Sequence, residues 1–183
     1  MGRRGLVWAV CVGFVAACSG GGGTAATTTT TSSTTRTTAP TTTTTSPEDA
    51  VKAAYLAYWK MIDRVSMTPD PEDPELPQRM VDPRLSNARD ELATERARGR
   101  TTRTPPGGKY SHVIQSVTLD KDNATVNDCS VDDQVVYGPD DVVLDSAVTT
   151  KHFVASFVRT ADTWKVADVR IVRQESGEQS CAA

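Results

Sequence analysis

The spacing of apolar residues changes character several times along the chain. Residues 6–17 form an apolar run behind Arg3 and Arg4 and end in Ala16 and Ala17. That is the profile of a secretory signal, because a spanning helix needs about 20 apolar residues to cross a hydrocarbon core about 30 Å thick. Residues 19–46 then show no apolar period. Beyond them Val51, Ala54, Tyr55, Tyr58, Ile62 and Val65 fall three and four apart, which predicts a helix with one buried stripe, running to about residue 67. Ser46, Pro47, Glu48 and Asp49 write its start: a hydroxyl cap, a proline in the first turn, and acids at the positive end of the dipole. Residues 68–77 hold four prolines and read as a rigid acidic connection. A second helical region is predicted over 76–99, broken near Val81, Asp82 and Pro83 and stopped by Gly99, with Leu85, Ala88 and Leu92 as a thin apolar stripe.

After Pro105, Pro106, Gly107 and Gly108 the period falls to two. Strands are predicted over 110–119, 124–131, 134–137, 142–144, 147–159 and 164–173, joined by turns at 120–123, 138–141 and 160–163. Short turns between successive strands require antiparallel pairing, so helices followed by a meandering sheet define an α+β domain.

Composition adds a tether in front of that domain. Residues 19–46 are almost all Thr, Ser, Gly, Ala and Pro, with Arg36 the only charge, and cannot bury enough apolar surface to offset the entropy of ordering. A coil of about 28 residues has a typical end-to-end distance of roughly 30 Å and a limit of about 95 Å when extended. The organisation expected is a signal peptide over 1–17, a tether over 18–46 and one α+β domain over 47–183. Removing residues 1–17 takes away two arginines and moves the formal charge from -3 to -5. A chain without basic excess has no electrostatic basis for binding nucleic acid.

The stretch Phe14-Val15-Ala16-Ala17-Cys18-Ser19-Gly20 resembles the lipobox of bacterial lipoproteins. The resemblance implies a diacylglycerol thioether at Cys18 and a protein anchored by lipid on the extracytoplasmic face of the cell membrane, since two acyl chains hold stably where one does not. Arg3-Arg4 leaves the export route open between the general and twin-arginine systems. With Cys11 in the signal and Cys18 lipidated, Cys129 and Cys181 remain as one pair in an oxidising compartment, and a disulfide between them is expected. It would close a loop of about 52 residues and remove roughly 4 kcal/mol of denatured-state entropy. The alternatives are two free thiols or part of a metal site.

The segments "SPEDAVKAAYLAYWKMIDRV", "NATVNDCSVDD" and "DTWKVADVRIVR" together resemble the NTF2-like superfamily, which includes the SnoaL-like enzymes, and more narrowly the small NTF2-like lipoproteins of actinobacteria. The resemblance implies a cone of N-terminal helices packed on a curved antiparallel β-sheet, with a pocket between the helices and the concave face, and no single chemistry. Thr-rich stalks of such exported proteins are often glycosylated, which the resemblance extends to this tether.

Family enzymes set an Asp or His base and a Tyr or Asp acid in that pocket; the candidates are His112, His152, Asp128, Asp168, Tyr55 and Tyr58. None has a diagnostic spacing. Alternation with Phe153, Ala155 and Phe157 turns His152 away from the core, and alternation with Ala167, Val169 and Ile171 does the same to Asp168. His112, opening its strand beside Tyr110, is expected to face solvent. The acidic runs Asp128, Asp132, Asp133 and Asp70, Glu72, Asp73, Glu75 lack the spacing of a calcium loop and read as solvated acid. Arg96, Arg98, Arg100 and Arg103 read as a solvated helix end, with a phosphate or partner patch as the alternative. Tyr55, Tyr58, Trp59, Phe153 and Phe157 are the candidates for lining a ligand pocket. No catalytic residue, metal or cofactor is assigned. The function expected is a non-enzymatic envelope module binding a protein partner or a small apolar ligand. The alternatives are a SnoaL-like isomerase or lyase and a homodimerising assembly module.

Overall fold

The computed structural model describes residues 45–181 of the chain. The signal, Cys18 and nearly all of the Thr-rich tether lie outside those residues. Three helices come first: α1 (Pro47–Met67), α2 (Leu76–Arg79) and α3 (Arg84–Ala97). Seven strands follow: β1 (Thr101–Arg103), β2 (Ser111–Asp120), β3 (Asn123–Asp132), β4 (Val135–Tyr137), β5 (Val143–Asp145), β6 (Thr149–Thr160) and β7 (Thr163–Ser176). They form two antiparallel sheets, a larger one ordered β2-β3-β6-β7 and a smaller one ordered β1-β4-β5. Among the described residues no helix is long and apolar enough to cross a membrane.

The α+β reading and the order of elements agree with the sequence pattern. The single meander does not. The short β4 and β5 leave the main sheet: β4 pairs with β1, a strand the sequence pattern did not show, and β5 pairs with β4, so β3 pairs directly with β6. The three residues of β1 carry too little periodicity to announce a strand, and the expected strands over 134–137 and 142–144 did not reveal their pairing partner.

Helix α1 starts as its sequence dictates, with Asp49 N–H donating to Ser46 Oγ at 3.1 Å. Its buried face consists of Val51, Tyr55, Tyr58, Met61 and Val65. The acidic connection is clamped to it by Arg64, whose guanidinium donates two bonds to Asp73 at 2.7 and 3.0 Å. Those bonds hold the Asp73 carboxyl below its ordinary range. At the break before α3, Asp82 Oδ1 accepts from Ser86 N and Oγ at 3.1 and 2.6 Å, satisfying a first-turn donor. Helix α3 is tied to α1 through Arg84, which donates to Tyr58 Oη at 3.0 Å and to both oxygens of Glu91 at 3.0 and 3.1 Å.

Strand register lays the inner face of the main sheet out in rows. Leu119, Ala124, Phe157 and Val166 form one, and Val117, Val126, Ala155 and Val169 the next. Helix α1 covers these apolar rows except at Leu119, which stays exposed, with Tyr55 edge-on to Phe157 at a centroid distance of 6.2 Å. The outer face is mostly polar: Thr118, Thr125, Ser156 and Asp168 in one row, and Ser116, Asn127, Val154 and Arg170 in another.

At one end of that outer face the C-terminal segment lies across the strands. Cys129 is bonded to Cys181, as cysteine counting anticipated, with Cα atoms 5.4 Å apart. Thr150 Oγ1 donates to Gly177 O at 3.0 Å and accepts from Gln179 N at 2.8 Å, and Lys109 Nζ meets Glu178 at 2.6 Å. Beneath this strap Cys129, Val131 and Thr150 are buried. Reduction should therefore both lengthen the denatured chain and release a cover. The melting temperature is expected to fall by roughly 10 °C or more, equivalent to about 2–4 kcal/mol in a domain of this size. A melt indifferent to reductant would contradict this.

Candidate functional site

Past the apolar rows the inner face turns polar. The third row is Ile114, Asp128, Phe153 and Ile171, and the fourth is His112, Ser130, Lys151 and Gln174. His112 and Asp128 are diagonal neighbours on adjacent strands, and His112 Nδ1 meets Asp128 Oδ2 at 2.6 Å. Their side chains are 6% and 0% exposed. The other ring nitrogen, Nε2, is 2.9 Å from Tyr110 Oη. Trp59 stacks on the imidazole with centroids 4.4 Å apart and planes inclined by 20°, while Tyr55 stands edge-on to it at 5.8 Å. Phe153 packs against Trp59 at 5.0 Å.

His112 therefore faces inward, correcting the expectation of a solvent-facing residue. The cause is a register shift in β2: Ile114 pairs with Asp128 and Ser116 with Asn127, leaving Gln115 as an extra residue. A strict period of two counted back from Leu119 and Val117 puts His112 outside. The bulge reverses that phase and brings both Ile114 and His112 in.

Further polar atoms gather around the pair. Tyr55 Oη, Trp59 Nε1, Asp128 Oδ1 and Ser130 Oγ are buried without a well-formed hydrogen bond. The Tyr55 hydroxyl lies beside both Trp59 and Asp128, and burial together with the Asp128 charge raises its pKa. Burial likewise raises Tyr110, with the nearby Asp63 carboxylate adding to the effect. Asp63 is itself raised by desolvation. A line of polar side chains thus runs through the inner face from Asp63 past Tyr110, His112 and Asp128 to Tyr55. Chemically this is a held imidazole–carboxylate pair, of the kind that moves protons when substrate reaches it. In this fold both ring nitrogens are engaged within the protein and the ring face is covered by Trp59.

The ligand-lining candidates separate into two groups. Tyr55, Tyr58 and Phe157 are core residues, 0%, 1% and 1% exposed. Trp59 is half-buried and Phe153 lies at the edge of the core, both beside His112. His152 stands on the outer face, where Nε2 is 3.6 Å from Glu175, and Asp168 is exposed. The acids of β3 and Asp133 just beyond it each have separate partners. Asp132 Oδ2 pairs with Lys151 Nζ at 2.5 Å, Asp133 accepts from Lys109 N, and Asp128 holds His112. Beyond the fourth row a cavity of about 340 Å³ separates the two sheets, lined by Thr102, Gln134, Asp145, Lys151 and Gln174 among others. Its walls are polar, unlike the aromatic packing under α1.

Sequence reasoning passed over the role of Asp128 as a partner of His112. The two lie 16 residues apart across a hairpin, and only the register joins them.

No family model and no curated protein matches the chain. Among solved structures it is similar to the intermembrane space region of the chloroplast protein ARC6, at 18% identity and a TM-score of 0.54 over 67% of this chain and 95% of that one. A protein from Kribbella flavida is similar at 18% identity and a TM-score of 0.49, over 68% of this chain and 92% of that one. A conserved protein from Planctomyces limnophilus stands at 14% and 0.45, over 67% and 98%. The first likeness is one of fold alone, and it spans nearly all of that region and two thirds of this chain. The other two carry no argument.

Because His112 and Asp128 bond one another inside the fold, removing either strands the other. His112→Ala and Asp128→Ala are each expected to cost about 3–5 kcal/mol in denaturant unfolding, with the double variant well below the sum. Strict additivity would mean the pair is not coupled.

Proposed function

We propose that the chain is a lipid-anchored protein of the extracytoplasmic face, whose NTF2-like domain serves as a non-enzymatic binding or accessory module for a protein partner. The observation that carries this reading is the filled inner face. In a cone that works on a small molecule the space between helix and sheet has to admit that molecule. Here Tyr55, Tyr58 and Phe157 occupy the region under α1 at no more than 1% exposure. The polar cavity between the sheets, with Asp145, Lys151 and two glutamines on its walls, suits a small apolar ligand poorly. Surfaces remain as the place of recognition. The strapped disulfide fits an oxidising compartment, and the lipobox at Cys18 with its Thr-rich stalk supplies address and reach.

The enzyme reading has one observation in its favour, the inward His112–Asp128 pair. A SnoaL-like isomerase or lyase would use that imidazole as its base, which requires Trp59 to move off the ring and Tyr110 to release Nε2. The assembly reading draws little from the outer sheet face, where Thr, Ser, Asn, Asp and Arg prevail.

Two measurements test the proposal. Cys18→Ser should shift the protein from the membrane fraction to the medium and abolish incorporation of labelled fatty acid; retention with unchanged labelling would refute the anchor. A filled inner face should give no enhancement of an apolar fluorescent dye at neutral pH. Saturable dye binding displaced by a fatty acid would restore the apolar-ligand reading.

A further inference from the structure

Three arginines at the end of α3 lack the close ion pairs that several others make. Arg64, Arg84 and Arg103 each make close charge-assisted bonds, at 2.7 Å to Asp73, 3.0 Å to Glu91 and 2.5 Å to Asp141. Arg96, Arg98 and Arg100 do not. Arg96 is 3.5 Å from Asp70, and Arg98 and Arg100 share the single carboxylate of Glu95 at 3.8 and 3.9 Å. A bond between guanidinium and carboxylate in good geometry measures about 2.7–2.9 Å, so these are contacts of charge with most donors uncommitted.

Two of the three line one groove. A cavity of about 570 Å³ lies where the end of α1 meets the end of α3, bounded by Met67, Pro69, Asp70, Arg96 and Arg100. Gly99 makes this possible. With φ at +62° it turns the chain sharply after α3, and a Cβ there would meet Pro139 Cγ at 3.3 Å. Arg100 N then donates back to Glu95 O at 2.9 Å, and Arg100 returns to the groove wall that Arg96 also lines. The partial negative charge of two helix C-termini accounts for arginines at this place, but it cannot occupy the five donors each carries. Met67, 49% exposed, and Pro69 supply an apolar wall alongside.

We infer that this groove is a binding site for a small amphipathic oxyanion, a carboxylate or phosphate group held between Arg96 and Arg100 with a short alkyl substituent resting on Met67 and Pro69. Planar guanidinium forks match the oxygens of either group bidentately. Asp70, 49% exposed, gives up its weak contact to Arg96 when the ligand arrives. The site is independent of the His112–Asp128 pair and of the lipid anchor.

The test is titration of the isotope-labelled full-length chain, followed by NMR, with hexyl phosphate, hexanoate, inorganic phosphate and hexanol. Hexyl phosphate, hexanoate or both should shift the amides of Met67, Thr68, Asp70 and residues 96–101 saturably, inorganic phosphate more weakly, and hexanol not at all. Whichever of the first two binds tighter identifies the head group. Affinity should fall as salt rises. Arg96→Gln and Arg100→Gln should each weaken binding about tenfold or more, whereas Arg98→Gln, whose residue is outside the groove, should change it less than about threefold. Circular dichroism melts matching the parent keep loss of binding separate from loss of fold. No saturable shift with either alkyl anion, equal shifts with hexanol, or equal losses in all three variants would overturn the site.

Discussion

The fold turns on how a twisted four-stranded sheet is covered on one side. Helix α1 brings two tyrosines and a tryptophan to the inner face, and the sheet answers with Phe157, Phe153 and a His112–Asp128 pair in place of further aliphatic residues. A carboxylate buried to 0% side-chain exposure is tolerable only with a partner that hydrogen-bonds it. His112 meets that demand, and Trp59 and Tyr110 hold the imidazole in the orientation that lets it do so. The strands, the bulge at Gln115 and the aromatic stripe of α1 must all be in place at once for this pair to close.

That interdependence links packing to function. Trp59 on one face, Tyr55 at the edge and Tyr110 on Nε2 enclose the His112–Asp128 pair. The exposed surfaces differ. The outer sheet face is polar and partly strapped by the disulfide-bonded C-terminal segment. The junction of α1 and α3 carries under-partnered arginines beside an exposed methionine. The chain is mildly acidic overall, so the two arginines of this groove are a local exception.

Much of this was legible in the residues. Ser46-Pro47-Glu48-Asp49 marked the helix start because cap, proline and acids act locally, and Val51, Tyr55, Tyr58 and Val65 marked its buried face because the helical period persists over 21 residues. Counting left Cys129 and Cys181 to each other. The phase of β2 was not legible. Val113, Ile114, Val117 and Leu119 fit no single alternation, and only the pairing with β3 reveals the extra residue. Strands β1, β4 and β5, three residues each, were equally hidden as a separate sheet. Aromatic residues at helical spacing could be core or pocket wall, and burial settles Tyr55, Tyr58 and Phe157 as core.

The covered imidazole can be observed directly. A proton on His112 Nδ1, shared with Asp128 and shielded by Trp59, should exchange slowly with solvent and give a distinct low-field resonance in water, with nuclear Overhauser contacts to the Trp59 ring. Asp128→Asn should remove or greatly shift that resonance. If the His112 ring protons instead exchange at the rate of a free imidazole and show no contact with Trp59, the inner face is open and the pair is available to substrate.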